Sequence, residues 1–270
     1  MTHESPTLHP APEQAARGAR LLAEVFQQLR SQLVIGNTGT GVEQWCVEYI
    51  RQHRGSPSLR GYNGFPARIC VNRNEVAAHG VPDGVPFSPG DIVTVDIVIE
   101  YMGWKIDSAW SYGIPPVPGE QQRLINSAWQ ASLLPLIARM RPDPGRHAAE
   151  LLQHLLSESG MRACDGLAGH AIGRELHMPP RIPYDPRICS IPSGSPQQPF
   201  VFCWEPVLTP GSSSLVQQPD GSFITADGSP TAQFEHMFRC DSRQGIRLLN
   251  LQPAQIYAQR DAVLRARPPW

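Results

Sequence analysis

The chain runs to 270 residues with a formal net charge of −1, and so even a balance argues against a bulk electrostatic partner such as nucleic acid or an anionic membrane surface. Hydrophobic residues make up 41% and charged residues 17%, a globular composition with enough apolar material for a sizeable core in one large domain or two small ones. No apolar run approaches the roughly 20 residues a membrane span needs, and the first ten residues lack the basic and apolar regions of a secretory signal. Six scattered cysteines without a CxxC pair read as the reduced thiols of a cytoplasmic protein.

Residues 1–11 read as a flexible N-terminal arm. Over residues 12–34, Ala15, Ala19, Leu22, Val25, Phe26, Leu29 and Leu33 recur at helical spacing. Asn37-Thr-Gly-Thr-Gly breaks this stripe. Thr38 or Thr40 can cap a second helix, ending near residue 53, that turns Val42, Trp45, Cys46 and Tyr49 inward. An irregular stretch over 55–66 leads to a short strand at 67–71 and then to a Pro/Gly loop ending at residue 90.

Residues 92–99 are β-branched almost throughout, the pattern of a strand buried on both faces, yet Asp96 stands near the middle. After a turn around Met102-Gly103 the chain returns over 104–112, carrying Asp107. A hairpin turn that pairs Glu100 with Gly103 sets the two aspartates directly opposite; a turn shifted by one residue leaves them diagonal. Both registers put them on one face, at roughly 5 Å between Cβ atoms when directly opposed. Carboxylates so close in an apolar setting cannot both stay ionised unaided, so they share a proton or hold a cation.

Beyond the hairpin a helix is expected over 119–140, broken by Arg141-Pro-Asp-Pro-Gly, and another to about residue 158, ended by Gly160. Strands follow over 161–168, 200–207, 223–225, 232–239 and 246–251, with a Pro-rich loop over 179–199. The order helix-helix-strands thus occurs twice, an architectural echo without strong internal sequence identity. No linker divides it, so residues 12–270 are expected to form a single domain.

Other polar residues also stand in apolar or glycine-rich settings. His170 lies among glycines in 166–173, and His177 follows. Glu205 lies in Phe-Val-Phe-Cys-Trp-Glu-Pro, and Glu235 in Thr-Ala-Gln-Phe-Glu-His. Singly, each has an ordinary reading as an edge carboxylate, an arginine partner or a structural histidine. Together these readings must all hold independently, although a glutamate is almost never buried unpaired. The set Asp96, Asp107, His170, Glu205 and Glu235 is hard and oxygen-rich. Its four negative charges match two divalent ions, Mn²⁺, Fe²⁺ or Co²⁺, with Zn²⁺ also compatible; a structural zinc site would carry more Cys or His. The residues therefore point to a two-metal hydrolase whose nucleophile is a water acidified by both ions.

Six segments carry a resemblance: Asn74-Glu-Val-Ala-Ala-His79-Gly80-Val-Pro82, Gly90-Asp-Ile-Val-Thr-Val-Asp96, Asp107-Ser, Gly169-His170-Ala-Ile-Gly173 with His177, Phe202-Cys-Trp-Glu205-Pro, and Ala232-Gln-Phe-Glu235-His. In this order and spacing, over residues 59–251, the chain resembles the type I methionine aminopeptidases. The resemblance implies the α+β pita-bread fold, with pseudo-twofold duplicated halves around a curved antiparallel sheet. It implies removal of N-terminal methionine from peptides or nascent proteins. Asp107 and Glu235 would bridge two metals, Asp96 would hold one alone, and His170 and Glu205 would hold the other. Glu205 would also relay a proton. His79 would bond the scissile amide and His177 the substrate carbonyl. Tyr62, Phe65 and Cys70 would build the methionine pocket, with Trp204 and Phe223 at positions where the pocket departs from the family. A monomer acting on peptide N-termini or a small molecule is expected.

The departures keep all five ligands. The family's Gly-His-Gly-Ile-Gly is here Gly169-His-Ala171-Ile-Gly. Met178-Pro179-Pro180 replaces an acidic pair. Cys203-Trp204 stands where a small residue and Ile are usual, and Asp220-Gly-Ser222-Phe223 where a pocket tryptophan is. Several of these touch the pocket. They motivate a second reading, a pita-bread metalloenzyme recruited to another small molecule or a modified peptide. A third reading is a non-catalytic binding module, whose signature would be lost ligands.

Overall fold

The computed structural model describes residues 13–250, so the expected arm over 1–11 and the end of the expected 12–270 domain lie outside the described residues. The first half contains α1 (Glu13–Leu29), α2 (Gly39–Gln52), β1 (Ser56–Pro57), β2 (Cys70–Arg73), β3 (Val76–Ala78) and the long hairpin of β4 (Ile92–Tyr101) and β5 (Trp104–Gly113). The second contains α3 (Gly119–Ser132), α4 (Leu134–Ala138), α5 (Pro144–Ser159), β6 (Arg162–Ala163), β7 (Gly169–Ala171), β8 (Met178–Ile182), β9 (Phe200–Trp204), β10 (Val207–Thr209), β11 (Leu215–Gln217), β12 (Phe223–Thr225), β13 (Ala232–Gln233), β14 (His236–Asp241) and β15 (Gly245–Leu248). The chain is α+β, with helices followed by strands in each half.

The apolar stripe of α1 is buried from Ala15 to Leu29, but the helix tightens into a 3₁₀ turn at 30–32 and stops. Leu33 beyond it is still buried, but Val34 and Ile35 are exposed, so the helical stripe has no apolar partner past residue 33. Thr38, not Thr40, caps α2, its hydroxyl accepting from Gly41 N at 3.1 Å. The inward stripe of α2 is Val42, Cys46, Val47 and Ile50, with Trp45 and Tyr49 half-buried at its edge. The helix expected over 119–140 is two helices, interrupted at Leu133, because Pro135 has no N–H for a continuing ladder. Asp143 caps α5 by accepting from Arg146 N, and Gly160 at φ 71 closes it.

The expected curved sheet is built in pieces, and every strand pair is antiparallel. In the first half β1, β4 and β2 run side by side, with β5 on β4. In the second the order is β15-β14-β9-β7-β8, flanked by β13-β10-β6; a third piece, β11-β12-β3, crosses between the halves. Trp204 pairs with His236 and Val207 with Gln233, so one register runs through both ladders. The gap between them contains Glu205 and Glu235, facing each other when that register is continued. Pro206, which lacks an N–H, cannot carry the ladder across. The strand expected over 161–168 is instead β6 followed, after a turn, by β7. The expected Pro-rich loop begins later than residue 179, because β8 uses Pro179 and Pro180 at the sheet's outer edge, where a missing donor is tolerated.

Serine hydroxyl and backbone bonds stitch the halves together. Ser111 Oγ donates to Gln233 O (2.9 Å) and accepts from Gln233 N (2.7 Å). Ser108 Oγ donates to Glu235 O at 2.6 Å, and Glu235 N donates to Ala109 O at 2.7 Å. Behind this seam Phe26 stacks on Trp110 at 5.2 Å, and Trp129 meets both Trp110 and Phe234 edge-on. The aromatic cluster ties α1, β5, α3 and the 233–236 segment into one buried apolar cluster.

Gly169 lets β7 lie close on β9: a Cβ there would overlap the carbonyl oxygen of Cys203. Gly169→Ala should therefore push β7 off the sheet and lower stability by about 1–3 kcal/mol, read by chemical denaturation. An unchanged midpoint would show that the close approach is not required.

Candidate metal centre

The hairpin turns at Met102 (φ 52) and Gly103 (φ 80), both left-handed, as a two-residue primed turn requires. Tyr101 therefore pairs with Trp104, Asp96 with Ala109, and Val98 with Asp107. The directly opposed register, with Glu100 facing Gly103, is excluded. The diagonal register holds, and the aspartates share a face as diagonal neighbours, roughly 7–8 Å apart. That spacing leaves room for a cation between the carboxylates.

In the second half, Met237, Cys203 and His170 are successive cross-strand partners on β14, β9 and β7, so their side chains share a face. Glu205 and Glu235 stand two residues from Cys203 and Met237, in the gap. The Glu235–Ala109 backbone bond then lays this face against Asp107. All five expected ligands converge. His170 Nε2 is 3.4 Å from Glu205 Oε1, 3.8 Å from Asp107 Oδ2 and 3.9 Å from Glu235 Oε1. Asp96 reaches the same cavity from β4.

His170 Nδ1 lies 3.0 Å from Ala171 O, which can only accept, so Nδ1 carries the proton and Nε2 is left facing the carboxylates as a ligand atom. Asp96 Oδ1, Asp107 Oδ1 and Glu235 Oε1 are buried without hydrogen-bond partners. Leaving such an atom unsatisfied costs on the order of 1–3 kcal/mol, and three in one place is the signature of a centre that expects a cation. Burial, then mutual repulsion, holds the Asp107, Glu205 and Glu235 carboxyls well above the usual range. Burial raises Asp96 to about 7, against a hydrogen bond from the Cys70 thiol. His170 falls to about 4, through burial and then the neighbouring His177. Without metal, protons do the neutralising. The same residues fit divalent ions, which would replace those protons.

The ligands open onto a cavity of about 770 Å³ that also exposes Tyr62, Phe65, Cys70, His79, His177 and Phe223. Phe223 arrives because β12 pairs it with Ala78, beside His79, and the two rings meet edge-on at 5.7 Å. His79 takes a left-handed φ of 57, and Asn72 Oδ1 fixes the next residue by accepting from Gly80 N. Burial lowers the His79 pKa. His177 meets His170 edge-on at 4.4 Å, its Nδ1 2.8 Å from the Tyr62 hydroxyl; burial, then His79, lowers its pKa.

Trp204 is not a pocket residue. It alternates with Cys203 and Glu205, so it points to the opposite face of β9. There it is fully buried, donates Nε1–H to Ala131 O at 2.9 Å, and meets Tyr184 edge-on. Three residues join the site unexpectedly. Gln233 Nε2 donates to Glu205 Oε2 at 3.2 Å, Met237 Sδ accepts from Asp107 N at 3.4 Å, and the Cys203 thiol bonds the Glu235 carboxylate. The available signal was alternation: Gln233, Glu235 and Met237 share one parity, as do Cys203 and Glu205.

The description of metallopeptidase family M24 matches residues 13–242. The methionine aminopeptidase 1 of Mycobacterium tuberculosis (strain CDC 1551 / Oshkosh) is 30% identical over 241 residues, 82% of this chain and 85% of that one. The methionine aminopeptidase 1 of Bacillus subtilis (strain 168) is 28% identical over 222 residues, 80% of this chain and 87% of the relative. The crystal structure of a methionine aminopeptidase from Rickettsia prowazekii superposes with a TM-score of 0.81 at 26% identity, covering 88% of this chain and 96% of that one.

The protonated centre predicts a pH signature. A carboxyl whose folded pKa lies above its unfolded value stabilises most below the unfolded value, 3.8 for Asp96, and loses that contribution as pH rises through the folded one, about 7. Buried His170 and His236, lowered to about 4 and 3, act oppositely, but their effect is complete above 6.5. From pH 6.5 to about 8, then, the melting temperature in chelator should fall, and saturating divalent cation should remove the fall. A melting temperature that rises with pH in chelator would contradict the arrangement.

Proposed function

The chain belongs to metallopeptidase family M24, and we propose that it is a dinuclear metal-dependent aminopeptidase that removes the N-terminal methionine from peptides or nascent proteins. The observation that carries this reading is the convergence of four carboxylates and one imidazole, with Asp107, Glu235 and His170 buried and three oxygens unpartnered, at the floor of an aromatic-walled cavity.

Asp107 and Glu235 would be shared by two ions, Asp96 would hold one, and His170 with Glu205 the other. When bound, such ions acidify water and polarise a carbonyl. The ligand set is mostly carboxylate, which suits Mn²⁺, Fe²⁺ or Co²⁺, with Zn²⁺ compatible. Glu205 accepts the proton of the attacking water; Gln233 holds its Oε2 while Oε1 faces His170. His79, on its strained loop, hydrogen-bonds the scissile amide or the leaving nitrogen, to which Glu205 passes on the proton it accepted. His177, oriented by Tyr62, contacts the carbonyl oxygen where charge develops. The acidic floor favours a free α-amine, hence an exopeptidase. Tyr62, Phe65, Cys70 and Phe223 form the apolar wall for a thioether side chain. Residues 12–270 act as one catalytic domain and as a monomer. No described helix is long and apolar enough to cross a membrane, and the six buried free thiols suit a reducing cytoplasm.

The test is a Met-Xaa peptide series against protein loaded with defined metals. Cleavage of Met-Ala and similar peptides is expected, and no turnover of any Met-initiated peptide would sink the reading. Turnover confined to substrates lacking N-terminal methionine would move the same chemistry to another substrate. Asp96→Ala and His170→Ala should lose metal and activity together, by metal analysis and kcat/KM. His79→Ala should keep its metal and lose about 10²–10⁴ in rate; an unchanged rate would remove His79 from the mechanism.

A further inference from the structure

Cys203 has no place in the ligand set above, yet its Sγ is one of four donor atoms, with those of Asp107, His170 and Glu235, that all lie within 4.8 Å of one another. All four residues are buried, Cys203 completely. Its position is dictated by register: Cys203 is the direct cross-strand partner of both His170 and Met237, so its thiol must face the carboxylates. Glu235 Oε1 and Asp107 Oδ1, both on residues at least nine-tenths buried, have no partner in that space. The spread of the four donors is one that a common ion, about 2.0–2.3 Å from each, would draw together. Cys70 offers a contrast. Its thiol also bonds a ligand carboxylate, that of Asp96, but it is outside this cluster.

The geometry points to Cys203 as a further protein ligand of the ion held by His170, a soft donor that biases the centre toward thiophilic divalent cations such as Co²⁺, Zn²⁺ or Cd²⁺ over Mn²⁺. This rests on the metal-centre reading above. On coordination an Sγ–metal bond forms and the thiol proton leaves to solvent, with no change of oxidation state. A thiolate among carboxylates and one imidazole shifts the site from a hard donor set toward a borderline one.

Cobalt loading of the full chain tests it. Bound Co²⁺ is read from its visible bands. A sulfur-to-cobalt charge-transfer band in the near ultraviolet is expected in the unaltered protein and in Cys70→Ser, and absent from Cys203→Ser. Competition of Cd²⁺ against Mn²⁺ should lose roughly 10–100-fold of its preference in Cys203→Ser. Visible bands without the charge-transfer band in the unaltered protein would reduce Cys203 to a hydrogen-bond donor to Glu235. That result overturns this inference and leaves the metal centre standing. No bound cobalt at all would overturn both. Should Cys203→Ser fail to fold, the unaltered protein and Cys70→Ser decide, since a band that disappears with Cys70 assigns it to the other thiol.

Discussion

The desolvation and mutual repulsion of four carboxylates in one buried space is the constraint on which this structure depends. Asp96, Asp107, Glu205 and Glu235 would not be gathered there by any force they exert on one another. The scaffold holds them together: the extended β4–β5 hairpin, the β14-β9-β7 sheet and the aromatic cluster around Trp110, Trp129 and Phe234. The gathering is tolerable only when protons or cations supply the missing positive charge. The raised carboxyl pKa values and the unpartnered oxygens express this one condition in two ways.

Neither half of the chain completes the centre. The first brings two aspartates on a hairpin; the second brings His170 and two glutamates on a separate sheet. The meeting depends on backbone and hydroxyl bonds, chiefly Glu235 N to Ala109 O and the Ser108 and Ser111 hydroxyls, which tie β5 to the main chain of Gln233 and Glu235. A ligand side chain placed by its own backbone's bonds has little freedom to drift. This is how a centre with so much internal repulsion keeps one geometry. Pro206 contributes by separating the β9–β14 ladder from the β10–β13 ladder at the point where Glu205 and Glu235 must turn inward.

The five candidate ligands were legible in the sequence because each is a charged or polar residue in a setting that should exclude one. That signal needs no tertiary information. The hairpin register was not legible, because it turns on whether Met102 accepts a left-handed φ beside Gly103, and two registers one step apart keep both aspartates on the same face. Trp204 misled through its adjacency to a ligand: in a strand, the neighbour of an inward residue points outward, and this tryptophan fills the core against α3. Cys203 was visible as a substitution, but its role needed the pairing with His170, a contact across 33 positions of chain. The proline pair in β8 reads as loop until one knows the strand is an edge.

These differences follow from where each part is mounted. Asp96, Asp107 and His170 sit within strands, and Glu205 and Glu235 directly adjoin them. Those sheets are buried, and a change there disturbs both the core and the charge balance. Apart from Cys70, which pairs with Asp96 from β2, the pocket wall is mounted on a 3₁₀ turn at Tyr62–Gly64, the three-residue strands β3 and β12, and edge strand β8. Such short elements at the rim can exchange side chains without disturbing the centre. The departures expected from the resemblance, at Phe223 and at Met178-Pro179, fall on these mounts, while the five candidate ligands stand on the buried sheets or beside them. Hydrolytic chemistry and side-chain preference are therefore separable in this fold. Cys203 is the exception, because it changes character from within the buried sheet, one strand from His170. There a substitution faces the carboxylate cluster and not the cavity wall.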